Sequence, residues 1–126
     1  MYEIYRECTF AASHQLRNYK GKCERLHGHN WRVGIHIVGD ALDEAGMLMD
    51  FRELDAVLKE ALESFDHRHL NEVPPFIDES PSSERLAAEL FTRVSARLPS
   101  HRNVRVRCCD VWENDLSRAR YYPGSL

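Results

Sequence analysis

Apolar and polar residues alternate along the first fourteen positions of the chain. Tyr2, Ile4, Cys8, Phe10 and Ala12 share one parity, while Glu3, Glu7 and Thr9 occupy the other. A period of two is that of a half-buried strand, so residues 2–14 predict one. The pattern returns over residues 30–38, with Trp31, Val33, Ile35 and Ile37 opposite Asn30, Arg32 and His36. After Gly39-Asp40 and a polar stretch to Gly46 the period changes. Phe51, Leu54, Leu58, Leu62 and Phe65 recur at helical intervals, and Asp50-Phe-Arg-Glu53 has capping-box spacing. This predicts a helix from about 51 to 64. Residues 66–82, with Pro74, Pro75 and Pro81, read as a loop. Leu86, Leu90, Val94 and Leu98 form the stripe of a second helix, capped by Ser82 or Ser83 and closed by Pro99-Ser100. Val104, Val106 and Cys108 opposite Arg105 and Arg107 predict a third strand, and residues 119–122 a short fourth. Alternation fails at Cys109-Asp110-Val111, which points to a bulge or to a strand buried on both faces.

The order β-β-α-α-β-β predicts an α+β fold: a four-stranded antiparallel sheet with two helices on one face. No internal repeat, low-complexity tract or linker interrupts it, so residues 1–126 are expected to form a single domain. Four strands leave open edges, which must be covered or paired. Edge-to-edge assembly into an oligomer is the expectation.

Composition narrows the function classes. At 126 residues, 43% hydrophobic and 29% charged, the chain has the makeup of a globular protein able to bury a core without disulfides. A formal net charge of -3 argues against a nucleic-acid or membrane-surface partner. No apolar run approaches the roughly 20 residues of a bilayer span, and the N-terminal residues lack a secretory pattern. Cysteines at 8, 23, 108 and 109 make a poor disulfide framework, so a reduced, cytoplasmic protein is expected. Cys8, Cys108 and Cys109 read as small buried hydrophobes, and His36 and His101 as surface residues.

The chemistry concentrates in Cys23-Glu-Arg-Leu-His27-Gly28-His29. On an extended backbone His27 and His29 point the same way, and two neutral imidazoles on one face are a partial site for zinc. His14, which ends the first strand in the parity of Phe10 and Ala12, is the candidate third ligand if the two strands pair. Cys23 has two readings, as the fourth ligand of a closed structural zinc or as a free thiolate beside an open one. Asp66-His67 at the helix exit is a candidate carboxylate-oriented acid–base pair, with His69 as an alternative partner. Glu113, where the third strand emerges, can grip an amidine-like edge through two parallel hydrogen bonds.

Six segments in register resemble one family: Phe10-Ala-Ala-Ser-His14, Cys23-x3-His27-Gly28-His29, Gly46-Met-Leu-Met-Asp50-Phe51, Asp66-His67-x2-Leu70-Asn71, Pro81-Ser-Ser-Glu84 and Glu113. The chain is similar, over nearly all its length, to the 6-pyruvoyl-tetrahydropterin synthases. Its Cys-x3-His-Gly-His spacing looks most like their bacterial branch, the 6-carboxytetrahydropterin synthases of queuosine biosynthesis. The resemblance implies a tunnelling fold in which three subunits close a barrel and two trimers stack into a hexamer. It implies zinc held by His14, His27 and His29, with Cys23 as the proton-abstracting thiolate. Asp66 and His67 would relay protons from a neighbouring subunit, and Glu113 would hold the pterin ring with help from groups near Ser82, Ser83 and Glu84. The implied substrate is 7,8-dihydroneopterin triphosphate. Which basic groups hold its triphosphate is left open among Lys20, Lys22, Arg25 and several arginines.

Overall fold

The computed structural model describes residues 1–21 and 24–125; Lys22, Cys23 and Leu126 lie outside the described residues. Strand β1 (Tyr2–His14) pairs antiparallel with β2 (His27–Gly39) along its full length, from Tyr2 opposite Gly39 to His14 opposite His27. Strand β4 (Val104–Asn114) lies against the other edge of β2, and β5 (Ser117–Tyr121) closes a hairpin on β4. Both predicted N-terminal strands are therefore present, and β2 begins three residues early, so that His27 and His29 are themselves strand residues.

The helices pack on one face of this sheet because their apolar stripes match its apolar parity. Helix α1 (Phe51–Leu62) starts at Asp50, whose carboxylate accepts the Arg52 N–H at 2.8 Å. It buries Leu54, Leu58 and Leu62 against the sheet side chains Phe10, Trp31, Val33 and Ile35. Phe65 lies past the end of α1 and is still fully buried, so the apolar period outlasts the helix. Helix α2 (Ser83–Arg97) is capped by Ser82, whose hydroxyl accepts the Arg85 N–H at 3.3 Å. Its Leu86, Leu90 and Val94 complete the core. No helix among the described residues is long and apolar enough to cross a membrane.

Three expectations need correction. The segment 66–82 is not loop throughout: β3 (Arg68–His69) adds to the outer edge of β1 in parallel, and a 3-10 turn (Leu70–Glu72) follows. The sheet thus has five strands in the order β3-β1-β2-β4-β5 and is mostly antiparallel. A two-residue strand has no period to read, and only the presence of β1 beside it creates the pairing. Of the two readings of the break at Cys109-Asp110-Val111, burial on both faces holds, since Cys108, Cys109, Asp110 and Val111 are all buried. The register against β2 also shifts between Val106 and Cys108, opposite Ile37 and His36.

His36 is not a surface residue. Its ring lies 3.2 Å from Glu3 through Nδ1 and 2.9 Å from Asp110 through Nε2, on the sheet face opposite the helices. Arg120 donates to the same Asp110 carboxylate through Nε and Nη2, at 2.5 and 2.8 Å. Burial alone would raise the Asp110 carboxyl, but the hydrogen bonds from Arg120 and His36 outweigh it and hold the group below its ordinary range. Tyr5 lies across Gly34 on that face, so closely that a Cβ at 34 would collide with its ring.

Candidate metal centre

Strand register builds the site. His14 stands opposite His27 and Ala12 opposite His29. All three imidazoles therefore leave the sheet on its helix-packed face, at one end. Their ligand nitrogens lie within 4.8 Å of one another, and His14 Nε2 is 3.0 Å from His27 Nε2. Trp31 forms the floor, edge-on to His14 and His29 at 4.8 and 5.0 Å between ring centroids.

The outer hydrogen bonds decide what these nitrogens can do. His14 Nδ1 donates to the Pro81 carbonyl and His27 Nδ1 to the Arg25 carbonyl, each at 2.8 Å. In the neutral rings the protons therefore sit on Nδ1, and both Nε2 atoms present lone pairs. Two lone pairs 3.0 Å apart repel unless a cation lies between them. His29 Nε2 is buried with no hydrogen-bond partner among the described residues. Burial holds His14 and His29 below the ordinary imidazole pKa, which keeps them as neutral ligands. The residues fit a divalent ion, and imidazole donors suit zinc.

Glu113, at the end of β4, is brought to this centre. Its Oε2 lies 4.0 Å from His29 Nε2, and its Oε1 accepts the Ser83 hydroxyl at 3.0 Å. Ser83 and Glu84 share with Glu113 a cavity of about 390 Å³ that also reaches Arg118 and Arg120. Ser82 is spent on capping α2. Cys23 lies outside the described residues.

The Asp66–His67 pair is built at the edge of β1. Asp66 Oδ1 accepts the Ala11 N–H at 3.0 Å and lies 2.9 Å from His67 Nδ1. The His67 N–H donates to the Ala11 carbonyl, and its φ of +59 is a left-handed conformation costing a non-glycine residue roughly 1–2 kcal/mol. His67 is 82% exposed and lines, with His29, a second cavity of about 520 Å³. His69 reaches the same cavity, its Nδ1 3.0 Å from the Ser13 hydroxyl.

Sequence reasoning missed the residues that hold the surrounding loops. Arg17 donates to the carbonyls of Phe76, Glu79 and Asn71, tying the segment after β1 to the one before α2. Glu24 closes the loop between β1 and β2. Its N–H donates to the Leu16 carbonyl, its carboxylate accepts the Leu16 N–H, and its carbonyl accepts from the Gln15 side chain. Backbone-directed bonds of this kind leave no periodic trace in a sequence.

Fold and site together define an α+β protein with three imidazoles converging on paired strand ends in a group able to hold a metal ion, and a carboxylate at its rim. The chain belongs to the 6-pyruvoyl tetrahydropterin synthase enzyme family, whose model matches residues 3–124. It is 39% identical over 132 residues to the 6-carboxy-5,6,7,8-tetrahydropterin synthase of Synechocystis, covering 100% of this chain and 97% of that protein. Against the 6-carboxy-5,6,7,8-tetrahydropterin synthase of Bacillus subtilis it is 31% identical over 130 residues, covering 97% and 86%. The solved structure of Caenorhabditis elegans 6-pyruvoyl tetrahydropterin synthase superposes with a TM-score of 0.84 at 22% identity, covering 98% of this chain and 96% of that one.

Proposed function

We propose that this protein is a zinc-dependent lyase of 7-deazaguanine and queuosine biosynthesis. With one water consumed, it converts 7,8-dihydroneopterin triphosphate to 6-carboxytetrahydropterin, releasing acetaldehyde and triphosphate. The observation that carries this reading is the convergence of His14, His27 and His29, with one buried nitrogen lacking a hydrogen-bond partner among the described residues and lying 4.0 Å from Glu113. Full-length similarity to the Synechocystis 6-carboxy synthase supports the carboxy-forming branch.

Glu113 orients the pterin by accepting two ring N–H groups, its own carboxylate steadied by the Ser83 hydroxyl. Glu84, in the same cavity, completes that rim. Zinc, when bound, supplies Lewis acidity that makes the substrate's hydroxyl-bearing side chain more readily deprotonated. Cys23, four residues before His27, takes a proton from that chain as a thiolate. His67 is oriented by Asp66 through Nδ1, which leaves Nε2 to give and receive protons. The family resemblance assigns this pair to a neighbouring subunit, in a cytoplasmic hexamer of two stacked trimers, each subunit one domain over residues 1–126.

Incubation of the zinc-loaded enzyme with dihydroneopterin triphosphate, followed by mass spectrometry, tests the reading. Acetaldehyde with a 6-carboxy product is expected. A 6-pyruvoyl product alone would assign the enzyme to the triphosphate-eliminating branch, the activity named for the human relative that is 31% identical over 111 residues. No turnover, with zinc released or the fold lost on Cys23→Ala, would instead indicate a structural zinc module.

A further inference from the structure

The segment Asp66-His67-x2-Leu70-Asn71 lends its first two residues to the proposed reaction and leaves Asn71 without a part. Asn71 is half-buried in the 3-10 turn that follows β3. Its side chain makes a paired contact with the first residue past the end of β1. Oδ1 accepts the Gln15 N–H, and Nδ2 donates to the Gln15 carbonyl, each at 2.9 Å. Gln15 directly follows His14, so the first of these bonds is made to the peptide bond that leaves the candidate ligand.

Register accounts for the contact. β3 runs parallel to β1 with Ser13 opposite His69, so two residues further on Gln15 comes opposite Asn71. There the chain has already entered the turn, and the Asn71 carboxamide supplies the donor and acceptor that a third strand residue would have offered. A matching clamp lies on the other side of β3, where Asp66 Oδ1 accepts the Ala11 N–H and the Ala11 carbonyl accepts the His67 N–H. His14 is therefore held by His27 of β2 on one edge and, through Gln15, by Asn71 on the other. Its ring is 1% exposed and reaches the Pro81 carbonyl at 2.8 Å, so a shift of the backbone at 14 would swing Nε2 away from the other two imidazoles. The clamp is itself fixed, because Arg17 Nη2 donates to the Asn71 carbonyl at 3.3 Å. A carboxamide suits this place because one planar group carries both a donor and an acceptor. An aspartate of the same shape would set a carboxylate oxygen against the Gln15 carbonyl.

We propose that Asn71 is a positioning residue of the metal centre, its carboxamide fixing the peptide bond after His14 and so the direction in which that ligand points. The role rests on the reading of His14, His27 and His29 as a zinc site. Zinc Kd, measured by competition with a chelating dye, is compared in the full chain, Asn71→Ala, Asn71→Asp and Asp50→Ala. The last removes the cap of α1 and controls for lost stability alone. Outer partners of metal ligands are typically worth 10–100-fold in metal affinity, so both Asn71 variants are expected to weaken zinc binding roughly tenfold or more, with the fold retained by circular dichroism. The added charge of Asn71→Asp would by itself attract a cation, so a weaker Kd in that variant reports lost geometry. A zinc Kd in Asn71→Ala within about twofold of the unmodified chain, well short of the loss expected for an outer partner, would overturn the role. So would an equal loss in Asp50→Ala, because the effect would then be one of general stability. A chain that binds zinc and weakens as expected at Asn71, yet fails to turn over dihydroneopterin triphosphate, would sink the proposed reaction and leave the positioning role standing. A chain that binds no zinc would remove the metal site and this role together.

Discussion

His29 Nε2 is buried and has no hydrogen-bond partner among the described residues, which sets it apart from an ordinary satisfied histidine and suits it to a metal ion. Removing it should cost the ion before it costs the fold, because the core is centred on Trp31, Val33 and Ile35 rather than on the imidazoles. His29→Ala is expected to stay folded by circular dichroism and to lose stoichiometric zinc by metal analysis. Cys23→Ala should keep zinc and lose activity by roughly 10²–10⁴, as for a missing general base. Acid should act on the same centre. His14 and His29 have folded-state pKa values lowered by burial from the ordinary imidazole value of 6.5, so below that pH the unfolded chain binds more protons than the native one. Stability of the metal-free protein should be level above pH 6.5 and should fall as pH drops from there toward the folded-state values. Urea midpoints at pH 7.5 and 5.5 check the sign, and an equal or higher midpoint at 5.5 would contradict it.

At the scale of elements, the two helices and the four longer strands were legible because each repeats a period long enough to recognise. The ends and the two-residue strand were not. Ser82 and Ser83 are adjacent hydroxyls of equal promise at a helix start, and only the backbone path of α2 divides their work. Ser82 accepts the Arg85 N–H, whereas Ser83 turns to Glu113. Ser82→Ala should therefore lower stability by about 1 kcal/mol with KM unchanged. Ser83→Ala should raise KM instead. Reversal of that pattern in steady-state kinetics and denaturation would return Ser82 to the substrate site. His36 was misread for the same reason. Its sequence neighbours are apolar strand residues, and its partners Glu3, Asp110 and Arg120 come from three other strand segments.

At the scale of the molecule, the sheet ends in edges that one chain does not close. β3 covers only Ala12 and Ser13 of β1, and the outer edge of β5 has no strand beside it among the described residues. The face carrying Tyr5, His36, Arg32 and Arg120 has no helix against it among the described residues. Closure with further copies would satisfy both, and multi-angle light scattering at micromolar concentration is expected to report six subunits. A monomeric mass would remove the assembly and, with it, any contribution of Asp66 and His67 across a subunit boundary.

By itself the sequence determined which residues lie on which face of each strand and helix, since side-chain periodicity is a local property of the backbone. It also supplied the ligand types, because two imidazoles two residues apart on a strand must share a side. What it left undecided depended on contacts between segments far apart in the chain. Register between β1 and β2 sets His14 opposite His27, and carbonyls from Pro81 and Arg25 fix which nitrogen each ring turns inward. Hydrogen bonding across such separations is specified by the packed core rather than by neighbours in sequence. The convergence of three imidazoles on one point was therefore settled only when the strands met.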